Sequence, residues 1–304
     1  MQNWHKKRKK SKDDIIEKTR RRNWMNMDNL QLNTIAIHWL NGGDINMDGG
    51  AMFGVVPKPL WSKKYPHNEK NQVELRADPL FISWEGENFL IDTGIGKGKL
   101  TEKQKRNYGV TEESQLEADF LKLGICAEDI DYVLMTHMHF DHACGLTSQK
   151  GESYTSLFSN AKIIASKLEW EEMKHPNIRS RNTYWEQNWK AIEKQVETFE
   201  EEWSYGPFKM IHTGGHSDGH SIILIQDEQE VCLHMGDILP THAHQNALWV
   251  TAYDDYPMDS IRQKQKWIQW GIEQKAWFTF YHDKKYRALK WNSEGQIAES
   301  LMIE

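Results

Sequence analysis

Three imidazoles and a carboxylate stand within six residues in His137-Met138-His139-Phe140-Asp141-His142. Imidazole nitrogens and carboxylate oxygens are ligands for borderline divalent cations such as zinc, and a set without thiolate leaves coordination positions open for water. The pattern points to a two-metal hydrolytic centre that works through metal-bound hydroxide. A lone His-x-His reads most simply as surface histidines on a polar loop. Here the rest of the chain supplies the three further ligands that two metals with a shared carboxylate require. His216 follows Gly214-Gly215, and glycine permits the backbone conformations of a tight ligand loop. Asp237 follows the apolar run Val231-Cys232-Leu233-His234-Met235 and Gly236, and His282 closes Ala276-Trp277-Phe278-Thr279-Phe280-Tyr281. Each candidate therefore stands at a strand exit or a glycine turn, which is the structural context a motif of this kind needs.

These ligands need elements to hold them. Ile130-Asp131-Tyr132-Val133-Leu134-Met135 reads as a buried strand running straight into the cluster, and α/β sheets build their sites where strands end and loops begin. Further strands are expected at 32–40, 80–84, 89–92, 162–165, 208–212, 221–226 and 231–234. Helices are expected at 112–123 and 259–271, the second begun by Asp259 as its cap. Short strands alternating with helices give an α/β fold. The 304 residues can bury one large core, so 31–304 is expected to be a single catalytic domain. Of fourteen tryptophans, Trp170, Trp185, Trp189 and Trp203 fall in a helical-looking stretch broken at His175-Pro176-Asn177. That stretch, about 166–203, reads as an insertion shielding the mouth of the site, or as a homodimer contact or ordinary packing.

The ordered stations His-x-His-x-Asp-His, Gly-His, Asp and His resemble those of the metallo-β-lactamase superfamily, and Phe89-Leu90-Ile91-Asp92-Thr93-Gly94 matches its early strand-and-turn motif. The resemblance runs from about Leu32 to His282 and beyond. Within it, Trp39-Leu40-Asn41-Gly42-Gly43 and the segment from Asp48-Gly49-Gly50-Ala51-Met52-Phe53-Gly54 to Lys58 are similar to the quorum-quenching N-acyl-homoserine lactonases and their phosphotriesterase relatives.

The resemblance implies an αβ/βα four-layer sandwich with two divalent ions, zinc by default and iron, manganese or cobalt also accepted. It implies His137, His139 and His216 on one ion, Asp141, His142 and His282 on the other, and Asp237 bridging. The di-iron branch of the superfamily carries glutamate where this chain has His139, which favours hydrolysis over oxygen chemistry. The implied reaction opens the lactone ring of an N-acyl-homoserine lactone by attack of a bridging hydroxide, with Asp141 as proton donor to the leaving alkoxide and Asp237 as the second catalytic carboxylate. Some lactonases place a tyrosine three residues after the bridging aspartate to assist at the carbonyl oxygen. This chain has Pro240 there, leaving His242, His244 and Tyr281 as candidates by proximity in sequence.

Around these, Asp92 is expected to orient a ligand histidine, and His220 and His234 to be satisfied core residues. His38 lies on a strand face of unassigned side. Met52, Phe53 and Trp249 line an acyl-chain channel or belong to the core. The alternatives within the superfamily are phosphotriester hydrolysis and thioester hydrolysis of the glyoxalase II kind. Glutathione would call for a basic cluster, and the Gly-Gly-Ala-Met-Phe-Gly segment favours a small acyl lactone as partner. Nucleic-acid processing is disfavoured by charge. The first 22 residues carry ten Lys or Arg against Asp13, Asp14 and Glu17, a net of +7, so with −6 for the whole chain the body carries −13. Residues 1–30 are expected to be a solvated, disordered extension, with Met25 or Met27 as the true start. No apolar stretch follows the basic residues as a secretory signal would, and none is long enough for stable membrane insertion. Cys126, Cys144 and Cys232 lack metal spacing and suit a reducing cytoplasm.

Overall fold

A computed structural model describes residues 28–303; the basic segment singled out above lies almost wholly outside them. Two seven-stranded sheets form its centre. The first runs in the order Asn29–Gln31, Ala36–Trp39, Leu80–Trp84, Glu87–Ile91, Tyr132–Leu134, Lys162–Ser166, Val196–Phe199, antiparallel as far as Glu87–Ile91 and parallel beyond it. The second follows chain order from Glu202–Tyr205 through Phe208–His212, Ser221–Asp227, Glu230–His234, Trp277–Thr279 and Tyr286–Trp291 to Ile297–Met302. Its one parallel pairing joins Glu230–His234 to Trp277–Thr279.

The central strands are apolar on both faces, and their alternation sorts side chains into layers. Ile82, Phe89, Ile91, Leu134 and Ile164 meet Phe208, Met210, Ile223, Ile225 and Cys232 of the other sheet in one core. Their neighbours Phe81, Leu90, Val133 and Ile163 point outward onto Leu116, Phe120 and Leu123 of the helix Leu116–Leu123. On the opposite outside, Ile222, Leu233, Phe278 and Leu289 pack under Trp267 and Ile268 of the helix Pro257–Glu273. The result is helix, sheet, sheet, helix: the αβ/βα sandwich expected. A third, three-stranded sheet of Gln72–Arg76, Asp44–Asp48 and Val110–Glu112 stands beside one end. Among the described residues no helix is long and apolar enough to cross a membrane.

Several boundaries differ from the sequence expectation for local reasons. The strand expected over 32–40 is a hairpin, Asn29–Gln31 against Ala36–Trp39, because the Asp227 carboxylate accepts hydrogen bonds from the Thr34 amide, the Thr34 hydroxyl (2.8 Å) and the Ile35 amide (2.8 Å) and holds the chain in a turn. The first helix starts at Leu116 rather than 112, since Val110–Glu112 pairs with Asp44–Asp48. The last helix starts at Pro257, so Asp259 sits inside the first turn, where it pairs with Arg262, and does not cap. The Trp-rich stretch contains the helices Lys167–Lys174 and Glu186–Trp189 but ends in strands, and Trp203 lies on Glu202–Tyr205.

Asp227→Ala removes three hydrogen bonds to one buried carboxylate and is expected to cost about 2–4 kcal/mol. Urea unfolding of the variant checks this; a midpoint equal to wild type would mean the turn is held by other contacts.

Candidate metal centre

The loops leaving the strands at one end of the sandwich bring all seven proposed ligands together. His137 and His139 lie just beyond Tyr132–Leu134, and Asp141 and His142 sit on the short helix Phe140–Ala143. His216 comes from the turn before Ser221–Asp227, Asp237 from the turn after Glu230–His234, and His282 from the turn after Trp277–Thr279. The turn at His216 depends on Gly215, whose φ is +105° and where a Cβ would lie 2.8 Å from the Ser260 amide nitrogen.

Three groups of donor atoms each lie within 4.8 Å of one another: His137, His139 and His216; Asp141, His142 and His282; and His137, His142 and Asp237. Asp237 stands between the first two groups. Its Oδ1 is 3.1 Å from His282 Nε2 and 3.3 Å from His142 Nε2, while its Oδ2 is 3.3 Å from His216 Nε2 and 3.8 Å from His137 Nε2. Ring nitrogens also face each other, His139 Nδ1 to His216 Nε2 at 3.0 Å and His142 Nε2 to His282 Nε2 at 3.2 Å. His137 Nε2 is buried without a hydrogen-bond partner. Buried polar atoms are normally paired, and imidazole nitrogens and carboxylate oxygens converging at these distances fit divalent cations.

Four of the five imidazoles, all but His139, are fixed from behind, as metal-binding histidines are. His142 Nδ1 meets Asp92 at 2.8 Å, and Asp92 also accepts from the amide and hydroxyl of Thr136, so it ties two loops together. His216 Nδ1 meets Asp254 at 2.9 Å, His282 Nδ1 meets the Arg76 carbonyl at 2.5 Å, and His137 Nδ1 meets the Thr136 hydroxyl at 3.1 Å. Glu169, wholly buried, accepts hydrogen bonds from the Met138 amide (2.6 Å), the Ser217 hydroxyl (2.5 Å) and the Tyr184 hydroxyl (2.9 Å), bracing both histidine loops of the first group. Charge follows this wiring. Burial and neighbouring imidazoles push His137 and His139 well below the usual histidine range. His216 rises to about 8, because Asp237 and Asp254 outweigh the burial that opposes its charge. Burial likewise opposes the charge on Asp237, yet His282, His142 and His216 hold its carboxyl well below the carboxylate range.

A cavity of about 250 Å³ opens on this cluster. Ile45, Met47 and Leu75 of the small sheet, with Met52 and Phe140, make its apolar wall; Arg179, Ser180, Asn182 and Thr183, with Thr251, Ala252, Tyr253 and Asp255, border the other side. Arg179 is the one Lys or Arg in that lining, and its guanidinium is engaged by Asp255 at 2.7 Å and by the Ala252 and Asp254 carbonyls.

The remaining expectations divide. Met52 lines the cavity, whereas Phe53 stacks on Trp61 and His244, with Trp249 edge-on to it, as core. His38 is buried beside Phe81, away from the cavity lining. His220 bonds Thr213 and accepts from the Asp237 amide, and His234 bonds Thr279. Of the three candidates at the substrate carbonyl, none lines the cavity. The Tyr281 hydroxyl donates to the Asp141 carbonyl (2.8 Å) and accepts from the Gly94 amide (2.9 Å), with its ring stacked on His142. His242 is bound to Asp283 at 2.5 Å, and His244 lies between Thr241 and the Met52 carbonyl. The tryptophans Trp170 and Trp189 pack together inward, and the segment between their helices brings Arg179, Ser180, Asn182 and Thr183 to the cavity.

Glu169 and Asp254 were not among the residues singled out from sequence; each is an acid far along the chain from the ligand loop it holds, with no local signal.

The family model of the metallo-β-lactamase superfamily matches residues 80–272. The chain belongs to the metallo-β-lactamase superfamily. Within the superfamily it is 51% identical to a probable metal-dependent hydrolase from Staphylococcus aureus, with a TM-score of 0.87 over 90% of this chain and 99% of that one. A dizinc quorum-quenching lactonase in complex with the product N-hexanoyl-L-homoserine shares the fold at 16% identity, with a TM-score of 0.73 over 91% of this chain and 96% of that one. An N-acyl homoserine lactonase of Bacillus cereus is 29% identical over 126 residues, 40% of this chain; the match spans 42% of the relative's length.

Asp254→Ala frees His216 from its anchor and is expected to weaken divalent-ion affinity by about 10–100-fold. Calorimetric titration of metal-stripped protein with zinc reads this out, and undiminished affinity would show that Asp254 does not serve the cluster.

Proposed function

We propose that this superfamily member is a metal-dependent hydrolase that opens the lactone ring of N-acyl-homoserine lactones, and so quenches acyl-lactone signalling. The observation that carries the reading is the shape of the cavity: an apolar wall beside the His/Asp cluster, with the one lining cation already paired. Such a site suits a neutral molecule with a polar reacting head and an aliphatic tail. It does not suit the peptide carboxylates of a glutathione thioester, which need free Arg or Lys.

His137, His139 and His216 would hold one ion and Asp141, His142 and His282 the second, with Asp237 shared between them. Zinc is the ion that imidazole and carboxylate ligands of this kind most often take. Bound there, the ions supply Lewis acidity and a water of near-neutral pKa. The protein does the rest. Ile45, Met47, Met52 and Leu75 take the acyl chain and keep bulk water from the reacting carbon. Asp141, which lines the cavity 3.7 Å from His282 Nε2, is placed to carry a proton on its carboxylate to the ring oxygen as the lactone C–O bond breaks. Tyr281 and Asp92 keep Asp141 and His142 in position from behind.

The test is hydrolysis of C4 to C12 acyl-homoserine lactones beside paraoxon and S-lactoylglutathione, on metal-analysed protein with and without chelator. Chelator-sensitive opening of the lactones, with the other two substrates slow, is the expected result. His139→Ala and Asp237→Asn are each expected to abolish turnover while leaving a cooperative unfolding transition. Faster turnover of the phosphotriester or the thioester would move the activity to another branch of the superfamily.

A further inference from the structure

The polar side of the cavity carries hydrogen-bond donors, and three of them are already used within the protein. The Tyr108 hydroxyl donates to the Asn182 carbonyl at 2.7 Å, the Thr251 hydroxyl to Asp254 at 2.8 Å, and the Arg179 guanidinium to Asp255. The Ser180 and Tyr253 hydroxyls are without a hydrogen-bond partner among the described residues; Ser180 is buried, whereas Tyr253 is 38% exposed and borders the cavity together with His139, Asp141, His216, Asp237 and His282.

Its position is nevertheless built. The Tyr253 amide donates to the Thr251 hydroxyl oxygen (3.1 Å), and that same hydroxyl donates to Asp254, the acid that holds His216. The Asp255 amide donates to the His216 carbonyl, the Tyr256 amide to the Gly215 carbonyl, and the Ala252 amide to the Ala51 carbonyl at 2.7 Å. The turn that presents Tyr253 is thus pinned to the His216 loop on one side and to the helix bearing Met52 on the other. A phenol on a fixed turn that borders a cavity, with no hydrogen-bond partner among the described residues, is a preorganised donor for whatever enters.

We propose that the Tyr253 hydroxyl donates a hydrogen bond to a carbonyl oxygen of the substrate, an assignment that rests on the lactonase reading above. Burial, with Asp48 and Asp141 nearby, raises this phenol to about 12, so it keeps its proton and acts as a donor throughout the neutral range. An N-acyl-homoserine lactone offers two such oxygens, on the ring and on the side-chain amide.

The structure makes the test clean, because deleting an oxygen that touches no protein donor or acceptor leaves fold and metal site intact. Tyr253→Phe and wild type, as full-length metal-loaded protein, are compared on N-hexanoyl-homoserine lactone and on a γ-alkyl lactone that has the ring carbonyl but no amide. Metal content and the urea midpoint of the variant are expected to match wild type, and kcat/KM on the acyl-homoserine lactone to fall about 10- to 100-fold, the loss typical of one neutral donor near a developing charge. A fall in kcat on both substrates places the bond on the ring carbonyl. A rise in KM confined to the acyl-homoserine lactone places it on the amide. Unchanged kcat and KM on both substrates, with an active wild type, overturn the contact alone. Wild type that opens neither lactone overturns the lactonase reading and this contact with it.

Discussion

The structure turns on the Asp237 carboxylate set among buried imidazoles. One oxygen faces His142 and His282 and the other faces His137 and His216, all within 3.8 Å. Polar groups buried at that density are unfavourable unless each is bonded or bound to a cation. The protein meets the demand from behind, with Asp92, Asp254, Thr136 and the Arg76 carbonyl each on the far nitrogen of one ring. That leaves the near nitrogens and the carboxylate oxygens pointing at one another, an arrangement suited to divalent ions.

The sandwich exists in a form that makes this convergence possible. Both sheets are apolar on both faces, so their strands are locked in register by side chains that alternate between the inner core and the outer helices. With strand positions fixed, a histidine at a strand exit is placed by the core together with the anchors on its loop. Glu169 extends the same logic: a buried carboxylate on a helix outside the first sheet reaches the Met138 amide and the Ser217 hydroxyl, so two loops from different sheets share one anchor. The small third sheet then adds what a catalytic centre lacks, an apolar wall for substrate.

How much of this could be read beforehand follows from distance along the chain. The convergence of the seven His and Asp side chains was legible because four of them sit in six residues and the others follow glycines or close apolar runs. The layered fold was legible through the resemblance and through short strands alternating with helices along the chain. Asp254 and Glu169 were not, because each meets its partner across 31 to 48 residues of intervening chain and only folding brings them together. The hairpin at Thr34 escaped notice for the same reason: its turn is held by Asp227, 193 residues away. Tyr281 had looked like a candidate at the substrate because it precedes His282; both hydrogen-bonding capacities of its hydroxyl prove to be spent on the Gly94 amide and the Asp141 carbonyl.

The account stands on the claim that this cluster holds two divalent ions with Asp237 between them. Calorimetric titration of chelator-stripped, folded full-length protein with zinc addresses it directly, with Asp237→Asn run alongside. Two equivalents bound by wild type, and a weakened or single equivalent in the variant, are the expected result. A folded wild-type protein that binds no zinc, or a variant that binds two equivalents as tightly as wild type, would contradict it.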